Sequence, residues 1–180
     1  MSDRESLLDL LLALEQGEHE RYPSATDVEV SATEQALGRP LPPSFRTLVR
    51  QFSNGAYLYG VQEVSAVGDG NAQIAAIQNI VLPGKPDPHE RIAFRDGGEI
   101  MGNNLVPFSL DHNGNAWCFL TESADANGEY PVAYLHVTGR KLYGKQASFA
   151  DWLRILIETQ DEVIRTLYGE DVLYDELGLG

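Results

Sequence analysis

The sequence predicts an α+β fold, with N-terminal helices, a mainly antiparallel curved sheet of short strands, and a closing C-terminal helix. Apolar residues recur at helical spacing in the first 55 residues and again after residue 147. Between these segments, short β-branched or aromatic runs alternate with Gly, Asn and Asp, which is typical of strands joined by turns. The 180 residues suit a single domain spanning 1–180.

The first predicted helix is leucine-rich. Leu7, Leu11 and Leu14 share one face, which Leu8, Leu10 and Leu12 widen, and Gly17 provides a stop. A serine followed three residues later by a glutamate, at Ser31 and Glu34, predicts a second, short helix that ends at Gly38.

A Leu-Pro-Pro step separates this helix from the next. Pro40 and Pro42 force the residues before them out of the helical region, and Pro43 suits the first position of a new helix. Phe45, Leu48, Val49 and Phe52 then follow at i, i+3, i+4 and i+7, which predicts one buried stripe, and Asn54-Gly55 predicts the C-terminal cap. The step therefore predicts a rigid corner between two helices.

The middle of the chain changes to strand patterns. Residues 56–64 predict a strand that carries Tyr57 and Tyr59 on one face, and residues 71–80 predict a short helix. Further strands are predicted at 91–94, 104–110, 116–121 and 130–137. Pro107 and Pro131 indicate edge strands or strand ends, because proline cannot donate to a ladder.

A capping box, Ser148 to Asp151, begins the closing helix. Its apolar face is predicted to continue without a break as far as Leu167, through the residues Phe149, Trp152, Leu153, Leu156, Ile157, Val163 and Ile164.

The charge is strongly negative and uneven. Acids outnumber bases 27 to 13, for a net charge of −14. Residues 1–40 and 151–180 each carry −6, whereas residues 41–150 carry −2. Such a field repels nucleic acid and anionic lipid and attracts a basic protein, so we expect no direct nucleic-acid or membrane partner.

Cys118 is the only cysteine, which excludes an intrachain disulfide and a cysteine-based zinc site. The N-terminal segment has neither the basic start nor the unbroken apolar run of a signal peptide. A cytoplasmic protein without cofactors or metals is therefore expected.

Residues 111–122 allow two interpretations. Asp111, Asn113, Asn115 and Glu122 match oxygen-donor positions of a calcium loop, but Ala116 stands where that loop requires glycine. The flanking strand patterns and Asn113-Gly114 favour a β-hairpin. A small enzyme that uses Asp111 and His112 is the weaker alternative, since no nucleophile, base and orienting group occur at recognisable spacing.

Residues 32–60 resemble the N-terminal signature of the SUKH superfamily, through Glu34, Leu37-Gly38, Leu41-Pro42, the helix to Phe52, and Asn54-Gly55. Asp111, Gly114 and Trp117 resemble that family's paired strands around a turn, with Asn115 where a second acid is common. The closing helix at 147–158 is similar as well, so the resemblance covers about residues 28–160.

The resemblance implies a non-enzymatic protein-binding domain. It suggests an immunity protein that neutralises a basic bacterial toxin, with a regulatory scaffold, as in fungal cell-wall-synthesis regulators, as the alternative. Candidate protein-binding residues are aromatic anchors and strand-turn groups, together with acids that would steer a basic partner: Tyr57, Tyr59, Asp111, Trp117, Glu158, Asp161, Glu162 and Glu170.

Overall fold

The computed structural model describes residues 3–69 and 89–179. Within them lie five α-helices: α1 (Asp3–Glu15), α2 (Asp27–Leu37), α3 (Pro43–Gln51), α4 (Phe149–Thr159) and α5 (Val163–Asp175). The same residues form the strands β1 (His19–Arg21), β2 (Ala56–Leu58), β3 (Gln62–Val64), β4 (Arg91–Phe94), β5 (Glu99–Met101), β6 (Leu105–Leu110), β7 (Ala116–Leu120), β8 (Val132–His136) and β9 (Lys141–Gln146). The predicted helix at 71–80 lies outside the described residues.

The strands form two sheets. A three-stranded antiparallel sheet has the order β1-β2-β3, and a six-stranded sheet has the order β5-β4-β9-β8-β7-β6. In the larger sheet β4 and β9 run parallel and the other neighbours run antiparallel, so the α+β prediction is confirmed with a mixed sheet. The sheets meet where the Ser65 amide donates to the Phe108 carbonyl at 2.8 Å and the Ser109 hydroxyl donates to the Glu63 carbonyl.

An aromatic cluster holds the helices to the larger sheet. It joins one ring from α3, one each from β6 and β7, and two from α4: Phe45, Phe108, Phe119, Phe149 and Trp152, all buried. Phe108 stacks on Phe119 with ring centroids 4.4 Å apart, and Phe45 meets Phe119 edge-on at 5.3 Å. Aromatic pairs of this geometry stabilise a core by about 0.5–1.5 kcal/mol beyond their buried area.

The two ends of the chain share a neighbour. α1 packs on α4, and α4 also contacts α3, α5 and β9. The terminal helices are therefore attached to the same element, which is itself fixed by the aromatic cluster.

The helix predicted after the Leu-Pro-Pro step is confirmed. α3 begins at Pro43, and Phe45, Leu48 and Val49 are fully buried. Because prolines occupy its start, α3 has no cap from its own N-terminal residue. Glu129 replaces that cap from across the chain: its carboxylate accepts from the Ser44 amide at 2.8 Å and from the Ser44 hydroxyl at 2.7 Å. A negative charge at a helix N-terminus is favourable, so Glu129 also fixes its own loop to α3.

Three predictions about boundaries are wrong. The second helix begins at Asp27 instead of Ser31, because Thr26 caps it reciprocally with Glu29. Residues 56–64 form a hairpin, because Tyr59 and Gly60 both take left-handed backbone angles, with φ of 52° and 68°. Tyr57 and Tyr59 therefore do not share a strand face.

The closing helix is also divided. Gln160 takes a left-handed conformation with φ of 52° at the end of α4, and α5 starts as a separate helix at Val163. The apolar pattern continues on both sides, and for that reason the sequence suggested one helix. Strands β1, β5 and β9 were not predicted from the sequence; each is short or interrupted by polar residues.

Asn54 does not act as the predicted cap of α3. It is 4% exposed, and its side chain pairs with the backbone of Val67 in both directions, accepting from the amide at 2.8 Å and donating to the carbonyl at 3.1 Å. These two hydrogen bonds, called the Asn54 bracket below, hold the segment after β3 against the end of α3.

We expect Asn54→Ala to lower the free energy of unfolding by about 2–3 kcal/mol, because it leaves both polar groups of the buried Val67 without partners. Asn103→Ala, at an exposed position, is the control and should change it by less than about 0.5 kcal/mol. Urea denaturation measures both, and equal effects would show that the bracket contributes nothing.

Glu129 gives the fold a pH dependence. Burial raises the pKa of its carboxyl above the ordinary value, and the hydrogen bonds from Ser44 oppose that rise only in part. Because the folded-state pKa exceeds the unfolded one, the folded chain holds the proton more tightly, and this stabilisation is lost as pH rises through the folded pKa. We expect the stability of the wild type relative to Glu129→Gln to fall as pH rises above about 4, the ordinary pKa of a glutamate. Urea titrations of both proteins at a series of pH values from about 4 upward test it, and a constant or rising difference would contradict it.

Candidate functional site

The turn between β6 and β7 is organised by one carboxylate. Asp111 Oδ1 accepts from the backbone amides of Asn113 and Asn115, each at 2.9 Å, and the Asp111 amide donates to the Asn115 carbonyl at 3.0 Å. Gly114 supplies the positive φ, 81°, that closes the turn. The predicted hairpin through Asn113-Gly114 is therefore confirmed.

The second oxygen of Asp111 faces the sheet. Asp111 Oδ2 accepts a hydrogen bond from the hydroxyl of Tyr134 on β8. Burial, followed by the charge of Asp111, raises the pKa of that hydroxyl, and the charge of Glu162 acts in the same direction. Tyr134 thus remains a neutral donor, and Asp111 serves as an acceptor within the structure.

Tyr57 lies beside this turn. Its hydroxyl is 3.3 Å from His112 Nε2, and both side chains are at least partly exposed. Burial raises the pKa of the neighbouring Glu63, and the His112 charge partly offsets that effect. Tyr57, Asp111 and His112 consequently form one polar patch where the two sheets meet.

Two other predicted aromatic anchors are not in this patch. Trp117 is 1% exposed and packs edge-on against Tyr134 and Trp152, so it is a core residue that a partner cannot contact. Tyr59 stacks edge-on against His19, with centroids 4.5 Å apart, and its amide donates to His19 Nδ1 at 3.0 Å. The Cys118 thiol is fully buried, and burial raises its pKa.

Three of the four predicted acids converge on one arginine. Arg165 Nε lies 3.9 Å from Asp161 and 3.8 Å from Glu162, and its Nη1 binds Glu170. Three carboxylates share a single positive charge, so this cluster, which comprises two acids just before α5 and one within it, remains anionic. Glu158, on α4, is exposed, and no ion pair or hydrogen bond engages its carboxylate within the described residues.

The sequence analysis missed further carboxylates of the same kind. Asp9 on α1 and Asp171 and Asp175 on α5 are exposed, and in the part of the chain described here none is held by an ion pair. The signal was present, since both terminal segments had the excess of acid. Only the packing of α1 and α5 on α4 shows that these acids lie on helices with a common neighbour.

A family model described as SMI1 / KNR4 family (SUKH-1) matches residues 24–155. The chain belongs to the SMI1/KNR4 family (SUKH-1). A search of curated proteins found no match. Members of SMI1/KNR4 are in general non-catalytic immunity or regulatory proteins, and membership supports a role in protein interaction or immunity at the level of the family.

Most of the charge lies outside the SUKH-1 match. Residues 1–23 carry six acids and two bases, and residues 156–180 carry seven acids and one base. These flanks hold −10 of the net −14, and they include all of α1 and α5. The SUKH-1 region therefore supplies the fold, while the flanks supply most of the negative field.

The described residues show neither a metal-binding cluster nor a membrane-spanning helix. Over residues 3–69 and 89–179, no group of three or more His, Cys, Asp or Glu side chains is placed to hold a metal ion. Within the same ranges, no helix is both long enough and apolar enough to cross a membrane. The arrangement of exposed carboxylates and a Tyr-His patch is suited to contact with another macromolecule.

The Asp111 turn has an internal control. Residues 125–129 repeat its pattern: Asp125 Oδ1 accepts from the amides of Asn127 and Glu129 at 2.8 and 2.9 Å, but Asp125 is exposed and has no tyrosine donor within the described residues.

We expect Asp111→Ala to destabilise the protein by about 1–3 kcal/mol more than Asp125→Ala, because it also leaves the buried Tyr134 hydroxyl without its hydrogen-bond acceptor. In the Tyr134→Phe background the two substitutions should differ by less, since the donor is already absent. Thermal and urea unfolding of the variants in both backgrounds measure this, and equal losses for the two aspartates in the wild-type background would contradict it.

Proposed function

We propose that this protein is a cytoplasmic immunity protein, which binds a basic toxin domain and neutralises it by covering its active site. It carries out no reaction of its own. Membership of the SMI1/KNR4 family supports the general role in protein binding, and the anionic flanks support the character of the partner.

One observation carries the proposal: exposed carboxylates on α1, α4 and α5 have no ion-pair partner among the residues that the structure describes. Asp9, Glu158, Asp171 and Asp175 are engaged by no ion pair in the described ranges. Each carboxylate stays available to a cation on a partner. Clustered charge of one sign raises the association rate with an oppositely charged protein by about 10–1000-fold.

A nuclease domain is one toxin class that fits. Its active site must attract phosphates with Lys and Arg, so a surface that carries many carboxylates competes for the same cations. The Asp161, Glu162 and Glu170 cluster, which Arg165 neutralises only in part, is a candidate contact for such a site. The patch of Tyr57, Asp111 and His112 is a second candidate contact, with Tyr57 as its aromatic anchor.

The function is tested by co-expression with the toxin-like product of a neighbouring gene. We expect the protein to restore growth of a host that expresses the toxin and to co-purify with it. Failure to bind at low salt together with failure to protect would contradict the immunity role. Stable binding to ordinary cellular proteins instead would favour a regulatory scaffold.

Matched charge-reversal variants test whether the exposed acids speed association with the toxin. Glu158→Lys/Asp171→Lys changes two unpartnered acids on α4 and α5, and Asp96→Lys/Glu122→Lys makes the same net change at exposed positions in the SUKH-1 region. We expect the first pair to slow association with the toxin by about tenfold at low salt and the second pair to have little effect. Stopped-flow binding measures both rates, and equal rates would show that only total charge matters.

A further inference from the structure

α1 carries more leucine than its contact with the core can cover. Leu10, Leu11 and Leu14 are buried, whereas Leu8 is 50% exposed and Leu12 is 64% exposed. Residues four apart lie one above the other on a helix, so Leu8 and Leu12 form a continuous apolar stripe on the side of α1 that faces away from the core.

This pair differs from ordinary surface hydrophobics. Among the described residues the exposed large hydrophobics are Leu8, Leu12, Val28 and Tyr174, and only the two leucines adjoin on one helix face. Single exposed apolar residues are normal, but adjacent ones with polar surroundings are typical of interaction sites. A helix that is apolar on two sides is expected to have two neighbours.

The charges around the stripe indicate what its second neighbour is. Asp9 is exposed beside Leu8 and has no ion-pair partner among the described side chains, and Glu15, one turn after Leu12, is held by Arg21 at 2.8 Å. A second copy of this chain would bring Asp9 and a further net charge of −14 against the same surface, which is unfavourable. A segment with leucine-like side chains on one side and Lys or Arg beside them satisfies both features.

We propose that the outer face of α1, centred on Leu8 and Leu12, is the docking site for a basic amphipathic helix of the protein partner. This proposal rests on the proposed function in that it assumes a basic protein partner, and it names the surface where that partner is anchored. The acids steer the approach, and burial of the two leucines slows dissociation.

The test uses the full chain and a synthetic probe, a Leu/Lys peptide of about 18 residues that forms an amphipathic helix of five turns. The same peptide with Glu in place of Lys is the charge control. The variant is Leu8→Gln/Leu12→Gln, because glutamine keeps helix propensity while removing apolar surface. Val28→Gln is the matched control, since Val28 is 77% exposed and lies on α2. Circular dichroism confirms that both variants fold.

Fluorescence anisotropy should show that the wild type and Val28→Gln bind the Leu/Lys peptide with equal affinity and that neither binds the Leu/Glu peptide. The Leu8→Gln/Leu12→Gln variant should bind it at least about tenfold more weakly, as expected for the loss of two half-buried leucine contacts. Binding by that variant as tight as by the wild type would overturn the proposal, as would a wild-type dimer that the variant converts to monomer in sedimentation.

Rejection of the docking site on α1 can be distinguished from rejection of the proposed function. If Glu158→Lys/Asp171→Lys weakens toxin binding but Leu8→Gln/Leu12→Gln does not, the docking site on α1 is rejected and the immunity role stands. If the wild type neither protects the host nor binds the toxin, the proposed function is rejected, whatever the peptide does.

Discussion

The structure depends on the aromatic cluster that joins α3, β6, β7 and α4. Phe45 fixes the corner helix on the sheet, and Phe149 and Trp152 fix α4 beside it. α1 packs on α4, and α5 packs on α4 and is also tied to β9, where the Tyr168 hydroxyl accepts a hydrogen bond from the Gly144 amide at 2.8 Å and the Tyr168 ring meets Tyr143 edge-on. The cluster therefore fixes α4, the neighbour that both terminal helices share.

This arrangement separates two tasks along the chain. The SUKH-1 region supplies the core, the mixed sheet and the Asp111 turn, and its charge is nearly balanced. The flanks add exposed carboxylates and exposed leucines. Exposed acids contribute little to the stability of the chain that carries them, and under the proposed function they are available to the cations of a partner.

The sequence predicts the elements with strong local signals. The Pro42-Pro43 corner, the Asn113-Gly114 hairpin and the Ser148 cap are confirmed, because proline, glycine and capping side chains determine the backbone directly. Two signals of the same kind were not used in the prediction. Thr26 and Glu29 form a capping box, and residues 125–128 repeat the Asp-x-Asn-Gly pattern of the Asp111 turn. The break at Gln160 was not predicted, although residues 158–162 are all polar and interrupt the apolar period there. The Glu129 cap, the Asn54 bracket and the burial of Trp117 arise from tertiary contacts between residues distant in sequence, which periodicity cannot reveal.

The central claim is that a basic partner binds the surface formed by the terminal helices. Hydrogen exchange of the complex with the toxin-like partner tests it most directly, because protection reports which amides the partner covers. The account predicts new protection on α1, on the outer side of α4 and on α5, with the exchange of β4 and β5 unchanged. Protection confined to α2 and α3, with α1 and α5 exchanging as in the free protein, would contradict it.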